Sequence, residues 1–406
     1  IRSSPASSRI FSSAIVLLSP CLLNKIIFEV IGIVDDMRYT RNPVTHNRYQ
    51  KSIWSLFALL AIMVSAMPIQ SYAGDTPVKA SIYAYFRIAQ DNQPRVSIRM
   101  RQFRQHMRVL DTDNMHAISA DNLVKGLKGN TTLPVNSIAI TFEGAHRSVE
   151  RDAIPLLREL GIPFTIFIAP GRIDADMPQY MSWQRLRKLK DNRLATIGIS
   201  FNRYRHGAAL SAKALKNSLN RAIARYREEF GHRPRYFAYP YGEYDAQIRK
   251  LVRDYGFRAA FGQQSGVAHR GSDLYALPRF TMTEDHGDIR RFRQTARALP
   301  LPVSDATPSS PVVANNPPTI GFSLPPDLNI ATDDLRCYAS NGAQVEREII
   351  GTNRVELRLA QPFVARRGRV NCIVTESANR KDSKQRWHWH GMLLVIPETL
   401  RQKAKN

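Results

Sequence analysis

Cysteine is scarce in this chain, with three among 406 residues (Cys21, Cys337 and Cys372), so a disulfide-dense miniprotein is excluded. Acidic residues are also few. Asp and Glu number 34 against 58 Lys and Arg, which leaves a formal charge of +24 and a pI near 10.3. That imbalance favours anionic partners such as acidic glycan, lipid head groups or nucleic acid, unless the charges are simply spread over solvated faces. Long apolar runs are missing too. Ile53 to Met67 is too short to be preferred as a membrane span, and the apolar stretch from Ile10 to Val34 is broken by Pro20, Asn24, Lys25 and Glu29. There is no internal repeat. What is present is ample apolar material, 43% of residues, enough for one large core or two unequal ones.

The first methionine is Met37, and Arg38, Arg41, Arg48 and Lys51 follow before the Ile53–Met67 run and the exit Ser71-Tyr72-Ala73. A basic head, a short apolar stretch and a small-x-Ala end make a secretory signal peptide over 37–73, with 1–36 an over-extended or disordered lead. An uncleaved amino-terminal anchor is the alternative. Without residues 1–73 the surplus is still +20, and only Cys337 and Cys372 remain. In the oxidising compartment such a leader implies, a lone pair of cysteines is a natural disulfide; two buried free thiols are the other reading.

From 78 to 299, short apolar runs alternate with amphipathic stretches. Strands are expected at Ser81–Ile88, Ser137–Phe142, Phe164–Ala169, Thr196–Ser200, Tyr236–Tyr239, Ala259–Phe261 and Ala276–Phe280. Helical spacing marks Met100–Leu110, Arg147–Leu160 (ended by Gly161 and Pro163), a helix opened by Ser182-Trp183, and a long one begun by Ser211 with Leu215, Leu219, Ile223 and Tyr226 on one face. Repeated strand–helix units indicate an α/β domain with a parallel sheet, open or closed into a barrel. The segment 300–319, opening a proline-dense stretch that runs on to Pro326, reads as an extended linker. Residues 320–398 then alternate in strand fashion with polar turns, as in a small all-β sandwich.

Several stretches in order resemble the polysaccharide deacetylases, the NodB-type carbohydrate esterases of family four. Ile138–Phe142 with Glu143-Gly144-Ala145-His146 is similar to the family's strand ending in Thr-Phe-Asp-Asp. Phe164–Ile168, Tyr180-Met181-Ser182-Trp183, Ile197-Gly198, Phe237-Ala238-Tyr239-Pro240-Tyr241-Gly242 and Leu277-Pro278-Arg279 resemble its later landmarks. The resemblance implies a distorted parallel (β/α) barrel with its site at the carboxyl ends of the strands. It also implies amide hydrolysis of an N-acetylated sugar by a zinc ion that one Asp and two His hold, with a carboxylate base and a backbone oxyanion donor.

Carried over by residue, the base position falls on Glu143 and the oxyanion amide on Tyr241. The metal positions fall on Gly144, Ser200 and Tyr204, none of which is an aspartate or histidine, and the motif's arginine position is Ala238. No cofactor is therefore expected, with zinc only if His146 and His206 rebuild a site beside Glu143. Glu143 is otherwise expected to pair with a nearby arginine, Arg147 first. His286 is a candidate proton donor. Trp183, Tyr239, Tyr241, Tyr244 and Arg279 are candidates to line a sugar groove. In Trp387-His388-Trp389-His390, strand alternation puts two rings on each face, and the tryptophans suit the core better.

The arginine-rich stretches 185–190 and 290–297 read as solvated helix faces, and nucleic acid is not expected as a partner. The expected function is an exported, periplasmic or extracellular, glycan-binding relative of the deacetylases that lacks metal-route catalysis, acting on a polysaccharide or peptidoglycan-like, anionic glycan. The alternatives are a working deacetylase with a rebuilt site and a structural partner in an envelope assembly.

Overall fold

The computed structural model describes residues 78–328, 330–376 and 386–404; the leader expected over 37–73 and the stretch before it lie outside them. Six strands run parallel and neighbour one another in chain order: β1 (Lys79–Tyr85), β2 (Ser137–Glu143), β3 (Phe164–Ile168), β4 (Ala195–Ile199), β5 (Tyr236–Ala238) and β6 (Ala259–Phe261). β2 and β3 are buried along their whole length, which is why they read as largely apolar runs rather than strict alternations of apolar and exposed polar residues. On one face Ile82, Phe167, Phe261 and Leu277 pack together; on the other Tyr83, Phe142, Ile166 and Ile199 lie under the helices. Leu277 bridges Phe261 at the far edge, and Phe280–Thr281 pairs with Tyr83 and Ala84 of β1. One short segment thus touches both ends of the sheet and curls it into a barrel. The strand expected at 276–280 is consequently reduced to this two-residue pairing.

The helices follow their sequence signals. Ser182 and Ser211 cap Trp183–Lys190 and Ala212–Phe230 by accepting from the amides of Arg185 and Ala214. Leu215, Leu219, Ile223 and Tyr226 are buried, and Gly231, at φ 77°, ends the helix in the left-handed conformation. The helix expected over 147–160 begins instead as a wide π turn at Val149–Ala153 before Ile154–Glu159. Pro155 has no amide to donate into the preceding turn, consistent with the irregular start. The arginine-rich helix Ile289–Arg297 is not simply a solvated face. Arg293 and Arg297 both pair with Asp113 at the end of Met100–Thr112, and Phe292 and Ala296 are buried.

Beyond the barrel, two four-stranded sheets face each other. One orders Leu299–Pro300, Trp387–Val395, Arg367–Thr375 and Arg336–Ala339; the other Ser304–Thr307, Ile320–Ser323, Arg354–Leu359 and Val345–Ile350. Ile320, Phe322, Val355, Leu357, Val370, Val374 and Leu394 fill the space between. Cys337 and Cys372 sit opposite each other in register and are joined by a disulfide. The segment expected as an extended linker, 300–319, is tied into this sandwich. Its strand Ser304–Thr307 pairs with Ile320–Ser323, and Leu301 and Val313 are buried in the shared core.

The sandwich docks on the barrel through the strand Trp387–Val395. His388 and His390 lie opposite Val374 and Cys372 on the sandwich side, His390 beside Phe322. Trp389 faces the other way and meets Phe280 edge-on at 5.3 Å. The tryptophan face therefore turns from the sandwich core to the junction with the barrel, while the histidine face turns inward. Gly391 makes the approach possible, because a Cβ there would stand 2.2 Å from the carbonyl oxygen of Ser265.

Candidate functional site

The carboxyl ends of β2, β4, β5 and β6 open into a cleft of about 740 Å3. At its floor stands Glu143, the last residue of β2, with only 5% of its surface exposed. Three side chains hold its carboxylate. Gln263 donates from Nε2 to Oε2 at 2.7 Å, Arg279 from Nη2 to the same oxygen at 3.2 Å, and Tyr204 from its hydroxyl to Oε1 at 3.1 Å. Arg279 is fully buried. It donates also to the Gly262 carbonyl and the Thr141 hydroxyl, so this cation is fixed to the barrel interior and offers nothing to the cleft.

Arg147 is not the partner of Glu143. After β2 the backbone passes through two left-handed residues, Gly144 at φ 91° and Ala145 at φ 51°. That turn carries Arg147 to the surface, where it donates to the Pro178 carbonyl. It also places His146 on the cleft wall, in a bridge with Tyr180.

The Tyr204 hydroxyl does two jobs. While donating to Glu143, it accepts from the backbone amide of Tyr241 at 3.1 Å. Tyr241 holds φ 59°, a left-handed conformation unusual for a side chain of its size, and this aims its amide at the phenol. Burial, followed by the neighbouring Glu143 charge, pushes the Tyr204 phenol well above its usual pKa, so it stays a donor.

The two candidate replacement histidines have other partners. His146 Nδ1 accepts from the Ser148 amide at 3.2 Å and lies 2.8 Å from the Ser148 hydroxyl; burial, then Arg87 and Arg151, depress its pKa to about 4. His206 Nδ1 lies 2.9 Å from Glu243, and its ring stacks on Tyr241 at 4.2 Å. Ser200 is buried against the carbonyls of Ile168 and Phe201. Among the described residues no three His, Cys, Asp or Glu side chains converge as a metal-binding group.

Of the expected sugar-lining residues only Tyr241 faces the cleft. Trp183 is buried under the helices, with its indole N–H on Asp174 and Arg225 stacked 4.7 Å above it. Tyr239 is buried and donates to the Tyr275 carbonyl, and Tyr244 packs against it at 4.7 Å. Their places are taken by Tyr180 and Tyr204, with the Arg172 guanidinium 5.5 and 4.9 Å from their ring centres. His286 does reach the cleft rim.

Sequence reasoning also missed the contribution of the sandwich. Ser340, Arg367 and Arg369 line the cleft from that side. Arg367 lies 5.3 Å over the Tyr241 ring and donates to the Tyr241 carbonyl, while Arg366 reaches the fully buried Glu243 at 3.4 Å. The signal was the strict alternation of Arg367–Thr375, which sets Arg367 and Arg369 on the face away from Val370 and Cys372. Which face met the barrel was not readable from that pattern alone.

The family model for polysaccharide deacetylases matches residues 130–260, the stretch that runs from the approach to β2 through β6 and so holds Glu143, Tyr204 and Tyr241. The α/β barrel belongs to the polysaccharide deacetylase family. YxkH of Bacillus subtilis, assigned as a polysaccharide deacetylase, is 20% identical over 205 residues, half of this chain and 72% of its own length. The Streptococcus pyogenes deacetylase PplD, solved with acetate, shares the barrel at a TM-score of 0.50 and 14% identity, over 54% of this chain and 99% of its own. IcaB of Ammonifex degensii aligns at 24% identity over 54% of this chain and 97% of its own, with a TM-score of 0.49.

Proposed function

We propose that this deacetylase-family protein binds a polysaccharide in the cleft over Glu143 without hydrolysing it by the metal route. One observation carries the reading: the Tyr204 phenol lies between the Glu143 carboxylate and the Tyr241 amide. By the resemblance these are the base and the oxyanion donor, and Tyr204 stands where the second metal histidine is expected. A phenol hydrogen-bonded to both engages one oxygen of the carboxylate and the amide that the reaction would use.

The donor set around it does not suit zinc. Gly144 has no side chain, Ser200 is turned to backbone carbonyls, and Tyr204 holds its proton. His146 and His206 are engaged by Ser148 and Glu243 rather than turned to a common point with Glu143. Support for a carbohydrate ligand comes from the family and from the cleft itself. Tyr180, Tyr204 and Tyr241 offer rings of the kind that stack on sugar faces, set among hydrogen-bond donors. Export rests on the basic, apolar and small-residue order over 37–73, and the disulfide accords with it. Among the described residues no helix is long and apolar enough to cross a membrane.

The test pairs metal content with activity. The purified chain is expected to carry far less than stoichiometric zinc after dialysis against it, and to release no acetate from N-acetylated oligosaccharides while still binding them. Stoichiometric zinc together with chelator-sensitive acetate release would overturn the reading in favour of a working deacetylase.

A further inference from the structure

The cleft is unequally charged, and the inequality comes from both parts of the protein. Arg87, Arg95 and Arg172 line it from the barrel, Arg367 and Arg369 from the sandwich. Against them stand Glu143, already matched by the buried Arg279, and Asp285 at the rim. Elsewhere most arginines that meet another element find a carboxylate: Arg185 has Glu150, Arg235 and Arg258 share Asp121, Arg249 has Asp273. In the cleft the pattern fails. Among the described residues no carboxylate oxygen lies within 4 Å of Arg87, Arg95, Arg172 or Arg369, and Arg367 reaches Glu243 only at 4.0 Å.

Arg369 is the most unusual of these cations. It is half-buried between the two parts of the protein, near Arg367 and Arg291, and its own neighbourhood includes His286. Burial first, then the charges of Arg367 and Arg291, pull its pKa down to about 10. Bringing cations together away from water costs free energy that a bound anion would return. The wall continues without a break to Arg95, because the Glu284 amide donates to the carbonyls of Pro94 and Ser97 and so joins the Arg95 loop to the loop that carries His286.

We infer that Arg369 and Arg367 of the sandwich, with Arg95 and Arg87 of the barrel, form a subsite for the oxyanion of an acidic sugar residue. The subsite rests on the reading of the cleft as a glycan site and specifies its ligand as a polymer bearing carboxylate, sulfate or phosphate groups. Guanidinium groups suit this task because their planar donors meet two oxygens of an oxyanion at once. The sandwich then has a defined role: it supplies charge to the barrel's cleft and thereby selects among glycans. Tyr241, held under Arg367, joins the sugar-stacking floor to the charged wall.

Binding to the full chain, measured by calorimetry, tests both levels. The panel comprises a neutral N-acetylglucosamine oligomer, a uronate oligomer and a sulfated oligomer of equal length. The expected result is at least a tenfold preference for an acidic oligomer that falls as salt rises and disappears in Arg369→Gln. Arg95→Gln, on an exposed side chain at the barrel end of the same wall, is expected to weaken the same preference, so a folding defect at position 369 cannot decide the matter. The uronate and sulfated arms separate planar carboxylate from tetrahedral oxyanion as the source. Equal binding of neutral and acidic oligomers, or a preference unchanged by both substitutions, overturns the anion subsite while the glycan reading stands. Failure of all three oligomers to bind overturns the glycan reading and the subsite with it.

Discussion

Arg279 meets Glu143 at 3.2 Å with neither side chain open to solvent, so the charge at the cleft floor is balanced from inside the barrel rather than from the ligand side. A buried pair of this kind contributes less to stability than its Coulomb energy suggests, but removing one partner strands the other. Arg279→Met is therefore expected to cost about 3–5 kcal/mol of unfolding free energy. Glu143→Gln, which keeps the shape and one acceptor oxygen, should cost less. Urea unfolding of both variants checks this, and a midpoint for Arg279→Met within error of the parent would mean that the pair is solvated.

Removing only the hydroxyl of Tyr204 isolates its bridging role. Tyr204→Phe keeps the ring against Tyr241 and under Arg172 but leaves the Tyr241 amide and one Glu143 oxygen without their shared partner. The expected loss is about 1–3 kcal/mol, the usual cost of orphaning a buried polar group. Faster hydrogen exchange at the Tyr241 amide should accompany it. An amide equally protected in the variant would show that the phenol does not cover it.

Much of the barrel was legible because its signals are local. Serines 182 and 211 mark helix starts wherever they fall before an apolar period, and β2 and β3 announce themselves as short apolar runs. The disulfide was legible from scarcity, since two cysteines left in a chain expected to be exported have few options. The site was legible as positions but not as partners. Arg147 looked the natural mate of Glu143 because it lies four residues away, yet two left-handed residues turn it outward and Arg279, 136 residues along, takes its place. Trp183 looked like a sugar platform because sequence shows that a ring is present, not which way a helix rolls; its indole is spent on Asp174. The proline-rich segment looked extended, and it is, but its Leu301 and Val313 supply core to the sandwich that aperiodic sequence could not announce.

Gly391 is a point of close approach between the two parts of the protein, and its lack of a side chain has a measurable consequence. Ser265 oxygen and Asn371 Oδ1 would lie 2.2 and 2.7 Å from any Cβ there. Backbone cannot give way as a flexible side chain can, so Gly391→Val should push the sandwich off the barrel. The expected outcome is a chain whose barrel and sandwich unfold in separate steps, with cleft binding lost because Arg367 and Arg369 no longer face Tyr241. A single transition with binding intact would mean that the junction tolerates the added bulk.

Acid should loosen the barrel through its neutral histidines. His106 is wholly buried, takes a hydrogen bond from or gives one to Tyr85 at 3.0 Å, lies 2.9 Å from the Gly287 carbonyl and stacks on Phe292. Burial is the main reason that its pKa falls from 6.5 to about 4; Arg291 adds to the fall, while the Gly287 carbonyl and Asp288 oppose it. The folded state thus binds fewer protons than the unfolded one between those values. Stability is unaffected above about pH 6.5, declines as pH drops towards 4, and loses nothing further from this group below that. The loss from His106 alone is on the order of 3 kcal/mol across the window. His146 and His390, each also depressed to about 4 chiefly by burial, add in the same direction. Urea midpoints measured at pH 7 and 4.5 should therefore differ, and the difference should shrink in His106→Gln. A variant with the parent's full pH dependence would place the titrating groups elsewhere.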